Sequence, residues 1–389
     1  MTVQILFKNN DNSNNQVLFV EESYNVNSLK KHISSADLSY IKGVFPCAEW
    51  TIIYAPEKSQ SLPMRAMLCR EFGEPSVLTM GEVDEPVPGP RQVKVEVHSV
   101  GVNFPDLLLV AGKYQAKPSF PFSPGIECAG IVVELGEGVD ELAVGDRVMC
   151  DTGYGCCSEY VLAYAHRTYK LPDAMPFDVA GGFTVTCGTA YHALIDRAQI
   201  QPGEVLLVHG AAGGVGLNAV EIGRLLGAMV IGTVGSDEKI KIVKQYGADH
   251  VINYNKENFR DVVKDLTDGR GADVIYDPVG GDVFDQSMRC INWNGRLLVI
   301  GFASGRIPEV KANLVLLKGC QVMGVIWGAF ANIEIPKNRA NFATLFDWFE
   351  QGKINPHISA YYPLEATGEA IELLQSREAK GKVIVRVRD

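Results

Sequence analysis

Leu206 to Gly216 reads LLVHGAAGGVG, an apolar run that passes into a glycine-rich turn. The run predicts a strand over Glu204–His209, and the spacing that follows predicts a helix over Leu217–Leu226 and a second strand over Met229–Val234. A helix that opens directly after such a turn points its first amides and the positive end of its dipole at whatever sits before it, which suits a pyrophosphate. Each glycine has a separate part. Gly213 lets the backbone approach the phosphates, Gly214 loosens the turn, and Gly216 lets helix and strand pack closely. One departure from G-x-G-x-x-G stands out: Ala211 occupies the place of the first glycine. A glycine-rich run alone could be any tight turn. With strand, turn, helix and strand in order, it predicts a dinucleotide-binding unit.

The second strand closes on IGTVGS, Ile231 to Ser236. An NAD-binding chain carries a carboxylate at this tip for the ribose hydroxyls, and here Val234 takes that place. Ser236 and Lys239 can donate hydrogen bonds and charge to a 2′-phosphate, although Asp237 lies beside them and a plain solvated lysine would fit the same pattern. The cofactor expected is NADPH. The residues expected to hold it are Ala212, Gly213, Gly214, Val215 and Gly216 in the loop, then Gly235, Ser236 and Lys239.

Outward from this unit the strand–helix rhythm continues, with near-continuous apolar strands at His250–Tyr254, Asp273–Tyr276, Arg296–Ile300 and Val322–Ile326. Strands apolar on both faces belong to a parallel sheet covered on both sides. Amphipathic helices at Lys239–Tyr246 and Phe259–Leu266 supply the cover. The expectation is an α/β chain with a doubly wound six-stranded sheet over residues 188–327. Upstream, from Met64, short β stretches alternate as in QVKVEV (Gln92 to Val97) between Pro, Gly and Asp turns. They predict an irregular β domain over 64–187, completed by 328–389, whose tail KVIVRV (Lys382 to Val387) reads as a returning strand. Residues 1–63 differ: Asn-rich from Asn9 to Asn15, with strand-like Trp50–Tyr54, a possible helix over Ser28–Ile41, and a linker over Pro56–Pro63. They read as an appended piece without a chemical motif.

The net charge of −10 leaves no basic surplus for nucleic acid or anionic membrane. No apolar run reaches the length of a membrane span, and the N-terminus lacks the order of a signal peptide, so a cytoplasmic location is the expectation. Nine cysteines, an odd number without paired C-x-x-C spacing, read as free thiols and not as disulfides or a metal site.

Several stretches carry a family resemblance: SVGVNFPDLLLVAG (Ser99 to Gly112), PFSPGIECAG (Pro121 to Gly130), VGDRVM (Val144 to Met149), AAGGVG and YDPVG (Tyr276 to Gly280). From Met64 onward the chain resembles the medium-chain dehydrogenase/reductase superfamily, and within it the quinone oxidoreductase, zeta-crystallin-like branch. The resemblance implies a GroES-like catalytic domain beside a Rossmann domain, a homodimer, and NADPH-dependent reduction of quinones or other conjugated carbonyls. In the alcohol dehydrogenases of the superfamily a catalytic zinc sits at positions that here correspond to Asn103, Ile126 and Val185, none of which binds zinc well. The lobe with four closely spaced cysteines is also missing. The resemblance therefore implies a metal-free enzyme, with Tyr114 as hydrogen-bond donor to the acceptor and Asn103 as positioning residue. A pocket-wall role for Tyr114 remains open beside it. Tyr254 resembles the residue that contacts the adenosine part of the cofactor, and Gly301, Phe302, Val325 and Ile326 match segments beside the nicotinamide. Cys187 reads as core, and His192, placed at a helix start, as structural. Two other functions remain open: reduction of 2-enoyl thioesters such as acyl-CoA, and a crystallin-like protein that binds nucleotide without turnover.

Overall fold

The computed structural model describes residues 3–8, 16–20, 49–54 and 62–388, and the chain divides into two units, Met1–Leu62 and Pro63–Asp389. In the first, the strands Gln16–Val20, Val3–Lys8 and Glu49–Tyr54 form an antiparallel sheet in that order. The helix expected over Ser28–Ile41 lies outside the described residues. So does most of the expected linker, while Pro63 itself opens the strand Pro63–Leu68 of the second unit.

Within Pro63–Asp389, a six-stranded parallel sheet runs in the order His250–Asn253, Met229–Val234, Val205–Val208, Ala272–Asp277, Ile291–Val299, Gln321–Gly324. Its central strand reads VLLV and all four residues are buried, as a strand with helices on both faces must be. Burying each such side chain stabilises the fold by about 1.5 to 3 kcal/mol. The order turns back at Val205–Val208, because the next strand lies on one side of it and Ala272–Asp277 on the other. That reversal opens a crevice beyond the carboxyl ends of the strands, where ligands of such sheets bind.

The second sheet has seven strands. Along its path run Thr168–Lys170, Arg147–Asp151, Glu127–Leu135, Gln92–Val102, Lys382–Arg386 and Ile358–Pro363, and Tyr160–Tyr164 pairs separately with Gln92–Val102. Alternation holds in the long strand, where Val93, Val95 and Val97 are all fully buried. The returning tail is a strand as expected, and it inserts between Gln92–Val102 and Ile358–Pro363. This is a GroES-like domain joined to a Rossmann domain.

Two element starts differ from expectation by three residues or more. The helix after the glycine-rich turn begins at Gly214, three residues before Leu217, because Gly213 already serves as its N-cap with an extended backbone. The fifth strand starts at Ile291, well ahead of Arg296, since Ala272 pairs with Ile291 before a register shift. Every cysteine among the described residues is free and buried.

Candidate functional site

The glycine-rich turn sits at the carboxyl end of Val205–Val208, where the sheet order reverses. A Cβ at Gly216 would lie 2.2 Å from the carbonyl oxygen of Gly210, so only glycine allows the helix Gly214–Leu225 to seat this close to the turn. A Cβ at Gly213 would meet nothing nearer than that same oxygen, at 3.4 Å. The space above Gly213 is thus open on the side where the first-turn amides lack intrahelical acceptors. Ala212 is buried, and Gly214 and Val215 are half-buried at the helix mouth.

Past the second strand, Val234 is buried and Ser236 stands at the N-cap of Asp237–Gln245, where its hydroxyl makes no capping bond. Tyr254 is 45% exposed and lies over Gly235, at which a Cβ would approach the tyrosine hydroxyl to 2.6 Å. Asp237 is turned away from this corner: its carboxylate pairs with Lys256 and accepts from Asn253 Nδ2 at 2.7 Å. Lys239 Nζ donates to the carbonyl of Arg377, and Lys380 pairs with Glu238 at 3.4 Å. Burial first, then the charge of Lys380, press the Lys239 ammonium below its ordinary range, with Glu378 opposing and Arg377 adding more weakly. Cations gathered this closely suit a phosphate. The loop, the exposed tyrosine and this cationic corner fit a dinucleotide that carries a 2′-phosphate.

Gly301 lies just beyond the strand Ile291–Val299, with its amide 3.4 Å from the Asp277 carbonyl. Phe302 is 37% exposed, Val325 is buried with its amide bonded to Val299 O at 3.0 Å, and Ile326 is 64% exposed. All four stand at carboxyl ends of the parallel strands, on the crevice side.

The third group of residues belongs to the GroES-like domain. Asn103 ends the run out of Gln92–Val102 and is 6% exposed. Its Nδ2 donates to Gly101 O at 2.9 Å and to Glu127 Oε1 at 2.8 Å, and its Oδ1 accepts from Lys382 Nζ at 2.6 Å. Both amide hydrogens are therefore committed inside the protein. Lys382 Nζ also donates to Glu127 Oε1 at 2.6 Å and to Val102 O at 3.0 Å. Glu127 Oε2 accepts from Val185 N at 2.7 Å, and Glu127 is fully buried. Asp106 accepts from Asn103 N at 2.8 Å and Gly125 N at 3.0 Å; burial pushes its carboxyl up to about 7. Tyr114 is half-buried, with its hydroxyl pushed above its usual range by burial and then by Asp106, and no side-chain hydrogen bond ties it down among the described residues.

Asn103 and the backbone amide of Val185 meet at the Glu127 carboxylate, which also holds the Lys382 ammonium. One carboxylate and one amide oxygen, both already bonded to a cation, make no site for zinc, which needs several lone-pair donors around one ion. The residues do not fit that metal. Among the described residues, no group of three His, Cys, Asp or Glu side chains is placed to hold one.

Sequence reading overlooked Lys382, Glu127, Asp106, Arg377 and Lys380. Glu127 and Asp106 stood inside quoted motifs and could have been found as charged residues in apolar surroundings. Lys382 offered no such signal, since it opens a β-strand 279 positions from its partner. His192 stands at the start of a helical segment, as expected. It opens the π-helical segment His192–Arg197, which continues the helix Thr184–Tyr191, and it stacks on Phe330 at 3.9 Å and bonds Asp196 at 2.9 Å. Cys187 is buried in the core, as read.

Family models for an alcohol dehydrogenase GroES-like domain and a zinc-binding dehydrogenase match residues 89–173 and 214–351. Fold and site define a two-domain oxidoreductase with a nucleotide crevice between sheet ends and a GroES-like domain. A quinone oxidoreductase-like protein 2 homolog of Nematostella vectensis is 42% identical over 328 residues, 83% of this chain and 89% of the relative. Human quinone oxidoreductase is 35% identical, over 83% of this chain and 97% of its own length. The crystal structure of Escherichia coli quinone oxidoreductase complexed with NADPH superposes with a TM-score of 0.78 at 31% identity, covering 83% of this chain and 99% of that one. The chain belongs to the quinone oxidoreductase branch of the medium-chain dehydrogenase/reductase superfamily. No helix among the described residues is long and apolar enough to cross a membrane.

Proposed function

We propose that this enzyme reduces quinones and other conjugated carbonyl compounds with NADPH and without zinc. The observation that carries the reading is the buried ammonium of Lys382, held by Glu127 and by Asn103, which the resemblance aligns with a zinc ligand of the alcohol dehydrogenases. Without a Lewis acid, a simple ketone has no strong partner for its developing oxyanion. A conjugated acceptor spreads that charge, and hydrogen-bond donors suffice. NADPH bound along the glycine-rich loop supplies the hydride. Ser236 and Lys239, with Arg377 and Lys380 beside them, meet the 2′-phosphate, and Gly301, Phe302, Val325 and Ile326 line the nicotinamide end. Asn103, with its amide fully engaged, acts by position. Tyr114, with no hydrogen-bond partner among the described residues, donates to an acceptor oxygen. The same donor would serve a 2-enoyl thioester, and nothing in the site favours the acyl-CoA class.

The test is turnover of the purified protein with NADPH and NADH against a quinone, an enone, an enoyl-CoA and a simple ketone. Quinone and enone should be reduced with NADPH, and the ketone should not. Lys239→Ala should weaken NADPH about tenfold or more and NADH little, since a charge-assisted contact is worth roughly 1 to 3 kcal/mol. Tyr114→Phe should slow the enone more than the quinone, because the aromatic product of quinone reduction needs less help. Ketone reduction that depends on added zinc would overturn the proposal. Equal turnover with Tyr114→Phe on both acceptors would leave tyrosine as a pocket wall.

A further inference from the structure

Between the helix Thr367–Gln375 and the strand Lys382–Arg386, six residues run alongside the cofactor crevice and touch it at successive points. Arg377 turns the chain out of the helix with φ +58° and presents its carbonyl to Lys239. Lys380 pairs with Glu238, in the first turn of the same helix as Lys239. Gly381 donates its amide to Ala212 O at 2.8 Å and bridges Gly213 in parallel register, which pins it to the glycine-rich loop. Lys382 follows at once. Its methylene stem lies across Gly182 and against Gly214, and its ammonium ends on Val102 O, Asn103 Oδ1 and Glu127 Oε1.

We infer that Arg377–Lys382 is a strap that transmits occupancy of the 2′-phosphate corner to the acceptor pocket, with Lys382 as its positioning residue. The inference rests on the NADPH reading above. A phosphate drawn in by Lys239, Arg377 and Lys380 pulls on the outer end of the strap, while its inner end holds the amide of Asn103. Gly381 is fixed to the glycine-rich loop of one domain and the next residue, Lys382, to Asn103 and Glu127 of the other, so a shift of the loop cannot be absorbed between them without straining a buried ion pair. The 2′-phosphate then contributes to turnover as well as to affinity, and its energy reaches a reacting centre it never touches.

The experiment uses the full-length protein and two probes without nicotinamide, 2′,5′-ADP and ADP. Hydrogen–deuterium exchange is followed at the amides of Gly101–Leu107, among them Asn103 N, which bonds Asp106, and Asp106 N, which bonds Asn103 O. Saturating 2′,5′-ADP should slow exchange there about fivefold or more, a coupling within the usual range, and ADP less than about twofold. In the double variant Lys382→Met, Glu127→Gln, which removes both charges of the pair together, neither probe should protect this segment while 2′,5′-ADP still binds. In parallel, the ratio of kcat with saturating NADPH to that with NADH should be well above one in the wild type and fall towards one in the double variant, with the KM ratio kept. Equal protection by ADP in the wild type overturns the strap, and this comparison stands even where the double variant does not fold. A double variant that keeps the response overturns it too. Failure of 2′,5′-ADP to bind at all removes the NADPH reading, whereas binding that protects only residues 210–216 leaves that reading intact and removes the strap alone.

Discussion

At position 209 an imidazole is fully buried between two hydroxyls, Thr233 Oγ1 at 3.0 Å from Nδ1 and Ser287 Oγ at 2.8 Å from Nε2, with Phe259 against its edge. Burial lowers its pKa to about 3, against an ordinary 6.5, so it is neutral in the native protein at any mild pH. The unfolded chain binds the proton that the folded chain refuses, and stability therefore falls as pH drops from about 6.5 towards 3. Between pH 7 and pH 4.5 this one residue should remove roughly 2 to 3 kcal/mol. Asp106 and Glu221 act with the opposite sign, because burial raises each to about 7 and acid relieves the cost of their ionisation. A whole-protein pH curve mixes these terms, so the measurement is a difference. The denaturant stability of His209→Gln should be below wild type at pH 7, where packing and hydrogen bonds are lost, and the gap should narrow by that amount at pH 4.5. A gap that stays constant with pH would mean that His209 is already protonated in the native state.

The cofactor loop lets two glycines be separated by a single methyl group. At Gly216 the methyl would enter to 2.2 Å of a backbone oxygen that has nowhere to go, so Gly216→Ala should destabilise the fold by about 1 to 3 kcal/mol, the usual cost of overpacking. Gly213 has φ −81° and open space before it, so Gly213→Ala should leave the melting temperature close to wild type and weaken NADPH alone. Calorimetric unfolding and a fluorescence titration of both variants check this, and a loss of stability at Gly213 matching that at Gly216 would refute the division of labour. These glycines were legible because strand, turn and helix follow each other along the chain, and local spacing carries their geometry. The sheet containing Gln92–Val102 was legible only as β-rich. Its order depends on which antiparallel edges meet after folding, and alternation in VKVEV does not choose a partner. The site divides in the same way. Ser236, Lys239 and Tyr254 follow their strands within a few residues and could be read, whereas the partners of Asn103 came from strands near position 127 and position 382.

The unit Pro63–Asp389 brings its last strand back to its long early strand. The last strand, Lys382–Arg386, lies against Gln92–Val102 from the first part of the catalytic domain, and the chain between them contributes the entire nucleotide domain. Closing the sheet in this way carries an ammonium to Asn103, a position that the resemblance aligns with a zinc ligand of the alcohol dehydrogenases. Any zinc there would face the ammonium, 2.6 Å from both Asn103 Oδ1 and Glu127 Oε1, and would find one carboxylate already holding three hydrogen bonds. Displacing Lys382 would strand its charge in a buried site, at a cost of several kcal/mol that a single carboxylate and an amide oxygen cannot return. The purified enzyme should therefore hold far less than one zinc per chain by elemental analysis, and chelators should leave turnover with a quinone unchanged. Lys382→Met would remove the opposing charge and still leave only Glu127 and Asn103 as donors, so added zinc should not restore activity to that variant. Stoichiometric zinc in the wild type, with loss of turnover on chelation, would show that the metal is held by residues other than these and would overturn the metal-free reading.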